Sequence, residues 1–98
     1  MKHTCHARGC NVSVPPQMLL CKPHWFLVPL KIRNAVWQSY RVGQCDDRNP
    51  SEAWHEAADA AIGFVASREG EVVRSSEYAA LRKFGFELQK TNGGERIR

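Results

Sequence analysis

Four side chains near the N-terminus constrain this chain more than anything else in it. The segment reads Cys5-x4-Cys10, then a spacer of ten residues, then Cys21-x2-His24. Three thiolates and an imidazole are the donors of a structural zinc site, which takes four protein ligands in a tetrahedral array. The short spacing within each pair lets one turn present both ligands, and the spacer is long enough to return the chain to the same ion. Four protein ligands leave no open position for water, so the pattern points to a structural ion and away from zinc hydrolysis. Cys-x2-His is the commoner half of the pattern; Cys-x4-Cys is wider than the usual Cys-x2-Cys. His3, His6 and Cys45 are competing donors, of which His6 adjoins Cys5 and could replace a ligand.

The residues between the ligands suit this role. Gly9, just before Cys10, permits the positive φ that a tight ligand-bearing turn needs. The amides of such a turn can point at the thiolates and hold their negative charge. Asn11-Val12-Ser13-Val14 alternates polar and apolar and reads as a short strand. Pro15-Pro16 interrupts it, and Met18-Leu19-Leu20 leads into Cys21, so the two runs make either a small hairpin or an irregular loop. Pro23 suits a first helical turn, where its missing N–H costs nothing. Trp25, Phe26 and Val28 then give bulky apolar cover near the ion.

This ligand order resembles zinc-finger domains of the zinc-knuckle and treble-clef kind, in which a turn supplies the first pair and a helix start the second. The resemblance covers residues 5 to about 41. It implies a structural ion and, often, contact with nucleic acid or protein. The classical two-Cys, two-His DNA-binding finger is a different pattern, because its histidines lie on a later helix. A Cys/His cluster ahead of a helical body is also similar to small uncharacterised phage and bacterial zinc-finger proteins, a likeness that brings no catalytic residues with it.

The rest of the chain reads as helices. Leu30 to about Arg41 carries Ile32, Val36 and Tyr40 every four residues, with Ala35 alongside, and Gly43 is placed to end it. Lys31, Asn34, Gln38 and Arg41 form a polar, partly basic stripe on another face, with Arg33 and Trp37 between. Gln44 to Arg48 is a polar loop. Asn49-Pro50-Ser51-Glu52 reads as a helix start, with Asn49 at the N-cap and Glu52 at the third position. That helix runs to about Arg68, with Gly70 just beyond. Trp54, Ala57, Ala58, Ala61, Phe64 and Val65 are expected inward, and Glu52, Glu56, Asp59 and Gly63 outward. Glu71 to Arg74 is either a brief strand or a lead into the last helix. Ser75-Ser76-Glu77 offers caps for that helix, which is expected to reach about Lys90 on a Tyr78, Leu81, Phe84, Leu88 stripe, with Gly85 weakening it. Thr91 to Arg98 is expected to be a frayed tail.

The expected fold is therefore mainly α: a zinc-bound N-terminal loop or short hairpin followed by about three helices. With 98 residues, a single small domain over 1–90 is expected. Within it, 5–41 is the zinc module with its helix and 49–90 a helical hairpin; 91–98 is the tail. A core this small gains much from a metal clip. No apolar run approaches membrane-spanning length, since the densest, Trp25 to Leu30, contains Pro29. The residues after Lys2 lack the apolar segment of a secretory signal, so a cytoplasmic setting with reduced thiols is expected, favouring zinc over disulfides.

Function is less constrained. The net charge is +4, and residues 1–48 hold seven Lys/Arg against two Asp/Glu, so the excess positive charge belongs to the metal-bearing part. Arg8, Lys22, Lys31, Arg33, Asn34, Gln38 and Arg41 are the candidate partner-binding residues there. Lys and Arg contact phosphates, and Asn or Gln can read adenine edges. One reading is a nucleic-acid-binding or regulatory module for DNA or RNA. The alternative is a protein-interaction adaptor or inhibitor of a host complex, anchored by Trp25, Phe26 and Trp37. No Gly-rich phosphate loop, nucleophile elbow, zincin helix or paired catalytic carboxylates is present, so no enzyme activity and no membrane partner are expected.

Overall fold

The computed structural model describes residues 3–15, 18–40 and 51–86. These form four helices: α1 (Lys22–Trp25), α2 (Leu30–Gln38), α3 (Glu52–Arg68) and α4 (Ser75–Lys83). Among the described residues the β structure is an isolated antiparallel bridge between Thr4 and Ser13. The mainly α architecture with an N-terminal Cys-rich region is as the pattern implies.

The N-terminal segment folds into a small hairpin, but with a different partner from the one expected. The Asn11–Val14 run pairs back onto His3–Cys5, not forward onto Met18–Leu20. The amide of Cys5 donates to Val12 O at 2.8 Å and that of Val14 to His3 O at 3.0 Å. Met18–Leu20 lies on the other side of the knuckle, where the His6 amide donates to Leu19 O at 3.0 Å. The polar lead is thus drawn in, because bringing Cys5 and Cys10 together folds the chain back on itself between them. Gly9, at φ +80°, makes that reversal.

Pro23 lies in the first turn of α1, as its chemistry favours. In α2, Ile32 and Val36 are buried one turn apart. The helix ends at Gln38, short of the expected Arg41, with the Ser39 hydroxyl donating to Ala35 O at 2.6 Å. Tyr40 lies beyond the helix end; Arg41, Gly43, Cys45 and the 44–48 loop lie outside the described residues.

Helix α3 packs against both α2 and α4. Its cap is Ser51, two residues later than the expected Asn49, which with Pro50 lies outside the described residues. The Ser51 hydroxyl accepts from the Trp54 amide at 3.1 Å and donates to Ser39 O at 3.1 Å, so one side chain starts α3 and ties it to the end of α2. Ala57, Ala58, Ala61 and Val65 are buried as expected, joined by Ala60 and Ala66. Gly63 is also buried, correcting its outward assignment: a Cβ there would stand 2.7 Å from Glu77 Cβ, so the missing side chain is what lets α4 approach.

Both long-helix ends use the same device. Gly70 at φ +74° follows α3, and the Glu71 amide returns to Ala66 O. Gly85 at φ +88° follows α4, and the Phe86 amide returns to Leu81 O. This six-residue closure is the Schellman pattern. Gly85 therefore stops α4 at Lys83 and does not merely weaken a helix reaching Lys90; Phe86 turns back onto Phe64, ring centres 6.0 Å apart. At the other end the N-cap is Arg74, and Glu77 reaches back to its amide at 3.0 Å, so the expected Ser75 and Ser76 lie inside the helix. Glu71–Arg74 is a lead, not a strand. Leu88, Lys90 and the 91–98 tail lie outside the described residues.

The buried core joins Leu19, Leu20, Val28 and Ile32 to Ala58, Ala60, Ala61, Val65, Ala80 and Leu81. Cys5, Ala7 and Cys21 belong to the same cluster, so the Cys-rich segment is one wall of the core.

Candidate metal centre

The knuckle Cys5–Cys10 supplies one pair of donors, and the entry to α1 supplies the other. Cys21 is the N-cap of α1 and His24 lies within its single turn, so their spacing places both on one side of the helix start. The three Sγ atoms and a His24 nitrogen all lie within 4.8 Å of one another. Cys10 Sγ is 3.9 Å from Cys21 Sγ, and His24 Nδ1 is 3.2 Å from Cys21 Sγ and 3.5 Å from Cys5 Sγ. A tetrahedral zinc with bonds of about 2.3 Å to sulfur and about 2.0 Å to nitrogen has edges of about 3.8 Å (S···S) and about 3.5 Å (S···N). The donor set fits such an ion in both chemistry and dimensions. The three cysteines are free thiols.

The surrounding polar groups favour thiolates. The Ala7 amide points at Cys5 Sγ at 3.5 Å, the arrangement expected of the knuckle. Without a metal, burial pushes the Cys5 thiol up to about 11, while hydrogen bonds from the Cys21 and Ala7 amides pull it down. Cys10 is held below its ordinary value, chiefly by the Val12 amide. A buried thiol that resists ionisation alone gives up its proton to a bound cation.

Beyond the four donors, Glu69 is the telling neighbour. Its Oε2 lies 2.9 Å from His24 Nε2, the ring nitrogen facing away from the thiols. A carboxylate on the second nitrogen fixes the tautomer and orientation of a metal-binding imidazole and raises its basicity. Glu69 is the residue at the C-terminal end of α3, so that helix end is fastened to the Cys/His cluster. The sequence alone does not point to this contact. Gly70 locates the helix end, but nothing local to Glu69 reveals a partner 45 positions earlier.

His3 and His6 stand apart from the cluster and pair with each other, Nε2 to Nε2, at 3.4 Å. His55 is an exposed residue of α3 beside Trp54.

The candidate partner-binding residues divide. Lys22, Lys31, Asn34 and Gln38 are exposed. Arg8 is turned inward: its guanidinium donates to Glu77 Oε2 at 2.7 Å, where Glu77 is only 4% exposed. That pairing explains the location of a buried carboxylate in α4 and withdraws Arg8 from the surface basic stripe. Arg33 is half-buried, donating to Val28 O at 3.0 Å with its guanidinium over the Phe26 ring. Arg41 lies outside the described residues. What the stripe did not predict is how much apolar surface lies beside it: Phe26 is 64% exposed, Leu30 59% and Trp37 48%.

No protein-family model matches this chain, and neither curated proteins nor solved structures yield a match. The likeness to phage and bacterial zinc-finger proteins accordingly finds no support from relatives, while the proximity of the four candidate donors stands on the chain's own residues.

Proposed function

We propose that this protein is a zinc-stabilised interaction module that docks an acidic, partly apolar segment of another protein on the α1–α2 surface, with no reaction at the ion. The observation that carries this reading is the exposed apolar group beside the metal site. Phe26 and Leu27 follow α1, Leu30 opens α2, and Trp37 lies two turns on along the stripe Leu30, Arg33, Asn34, Trp37. Apolar surface gathered in one place and rimmed by polar groups is the usual mark of an interaction site. Residues 1–45 contain no Asp or Glu, Arg33 lies over the Phe26 ring, and Lys22 and Lys31 are exposed on the same two helices, so the charge complement of this surface is acidic. Trp37 is braced edge-on by Trp25, ring centres 6.2 Å apart, which limits the ordering cost of using it as an anchor.

A second reading, nucleic-acid binding, has its own support in the exposed Lys22, Lys31, Asn34 and Gln38. The inward turn of Arg8 takes one phosphate-contacting group away from it. One comparison separates the two. Wild type and a Phe26→Ala, Leu30→Ala variant are used for affinity capture from nuclease-treated lysate, with mobility shifts of random DNA and RNA run at two salt concentrations. The docking reading predicts a stoichiometric protein partner that survives nuclease and binds the variant at least about tenfold more weakly, as expected for truncated anchors. Binding to DNA or RNA that falls steeply with salt and weakens in Lys31→Ala, with the Phe26, Leu30 variant unaffected, would favour the second reading instead.

A further inference from the structure

We propose that His3 and His6 form a second, open metal site, for a divalent transition-metal ion of the zinc type, beside the closed Cys/His cluster. Their Nε2 atoms face each other at 3.4 Å. Two imidazole nitrogens bound to one tetrahedral ion at about 2.1 Å are separated by about 3.4 Å, so both rings can ligate one ion without moving. The rings are tilted at 56° with centres 5.3 Å apart, so they meet through their nitrogens and are not stacked. The other nitrogen of His3 supplies an independent sign. His3 Nδ1 lies 3.4 Å from Val14 O; with Nδ1–H directed at that carbonyl, Nε2 carries the lone pair a metal needs. This carbonyl-supported tautomer is the usual one for a metal-binding imidazole.

The backbone under both rings is held. His3 O accepts from Val14, and the His6 amide donates to Leu19 O, so the two side chains leave a fixed hairpin on either side of Cys5. His6 is exposed and His3 half-buried, which leaves the remaining coordination positions open to water. The hairpin that carries the two rings contributes no carboxylate, whereas calcium and magnesium take oxygen ligands. Two neutral imidazoles select zinc and its transition-metal neighbours. Two protein ligands also bind far less tightly than four, so this ion exchanges while the cluster keeps its own.

The test uses the full chain already carrying one tightly held zinc, titrated with Zn2+ alone. Calorimetry is expected to show one further, weaker equivalent. The ring signals of His3 and His6 should shift together in NMR spectra while those of His55 stay still. His3→Gln and His6→Gln should each abolish the second equivalent and retain the first. Should either substitution disturb the hairpin, the wild-type ring signals decide the matter on their own. Absence of a further equivalent, a shift confined to other histidines, or a further equivalent that persists in the His3→Gln, His6→Gln double variant would overturn the proposal.

Discussion

Glu69 shows how one residue far along the chain can reach the Cys/His cluster. Its carboxylate orients His24 through Nε2 and so presents Nδ1 to the thiols. Glu69→Ala removes that constraint, and metal affinity is expected to fall about tenfold, the lower end of such effects because the carboxylate is partly exposed. Competition with a chromogenic chelator measures this, and unchanged affinity would exclude an orienting role. Cys5 provides a test of opposite sign in two metal states. In the metal-free protein its thiol is raised to about 11 from an ordinary 9.0, chiefly by burial. The folded state then binds the proton more tightly than the unfolded state does, so this stabilisation is present below about pH 9 and lost as pH rises toward 11. In the metal-loaded protein protons compete with the ion for the thiolates, so stability falls as pH drops. Denaturant midpoints of chelated and loaded protein across pH 5–11 should therefore move in opposite directions at the two ends of the range. A chelated protein that gains stability from pH 9 to 11 would contradict the assignment of Cys5.

At the scale of elements, the contact between α3 and α4 depends on a side chain that is not there. Gly63 sits in mid-helix, where Gly→Ala ordinarily stabilises by about 1 kcal/mol. Here the new Cβ would fall 2.7 Å from Glu77 Cβ and 3.3 Å from Leu81 Cδ1, so the helices must move apart. Gly63→Ala is expected to destabilise by about 1–3 kcal/mol, the range for overpacking, as read by denaturant unfolding. A stabilised variant would mean that α4 does not pack there. The sequence foretold α3 well, because its alanine-rich face and Gly70 are local signals. It placed Gly63 on the wrong side, since a glycine has no side chain to reveal which face it serves, and only the approach of α4 makes its position inward. It overran α4 for a similar reason: Gly85 looks the same in mid-helix as at a C-terminus until Phe86 is seen to turn back onto Phe64. The grouping of Cys5, Cys10, Cys21 and His24 was legible because residue identity and spacing alone suggest it. Glu69, the Arg8–Glu77 pair and the exposure of Phe26 and Leu30 were not, because each depends on how segments distant in the chain meet.

Across the molecule, the Cys/His cluster is joined to the helical body at three points. Cys5, Ala7 and Cys21 are part of the buried core. His24 is fastened to the end of α3 through Glu69, and Arg8, inside the knuckle, is paired with Glu77 in the first turn of α4. Glu77 in turn holds the Arg74 amide and lies against Gly63. The ion therefore supports more than the N-terminal loop, because Arg8, held in the knuckle it closes, supplies the counter-charge of a buried carboxylate. No helix among the described residues is long and apolar enough to cross a membrane. Elemental analysis of protein purified without added metal, set beside the same measurement on Cys21→Ser, tests the whole account most directly. It predicts close to one zinc per chain, held through dialysis, with the variant losing most of it. Less than about half an equivalent in the native protein, below the filling expected of a structural site, or a Cys10–Cys21 disulfide in its place, would contradict it.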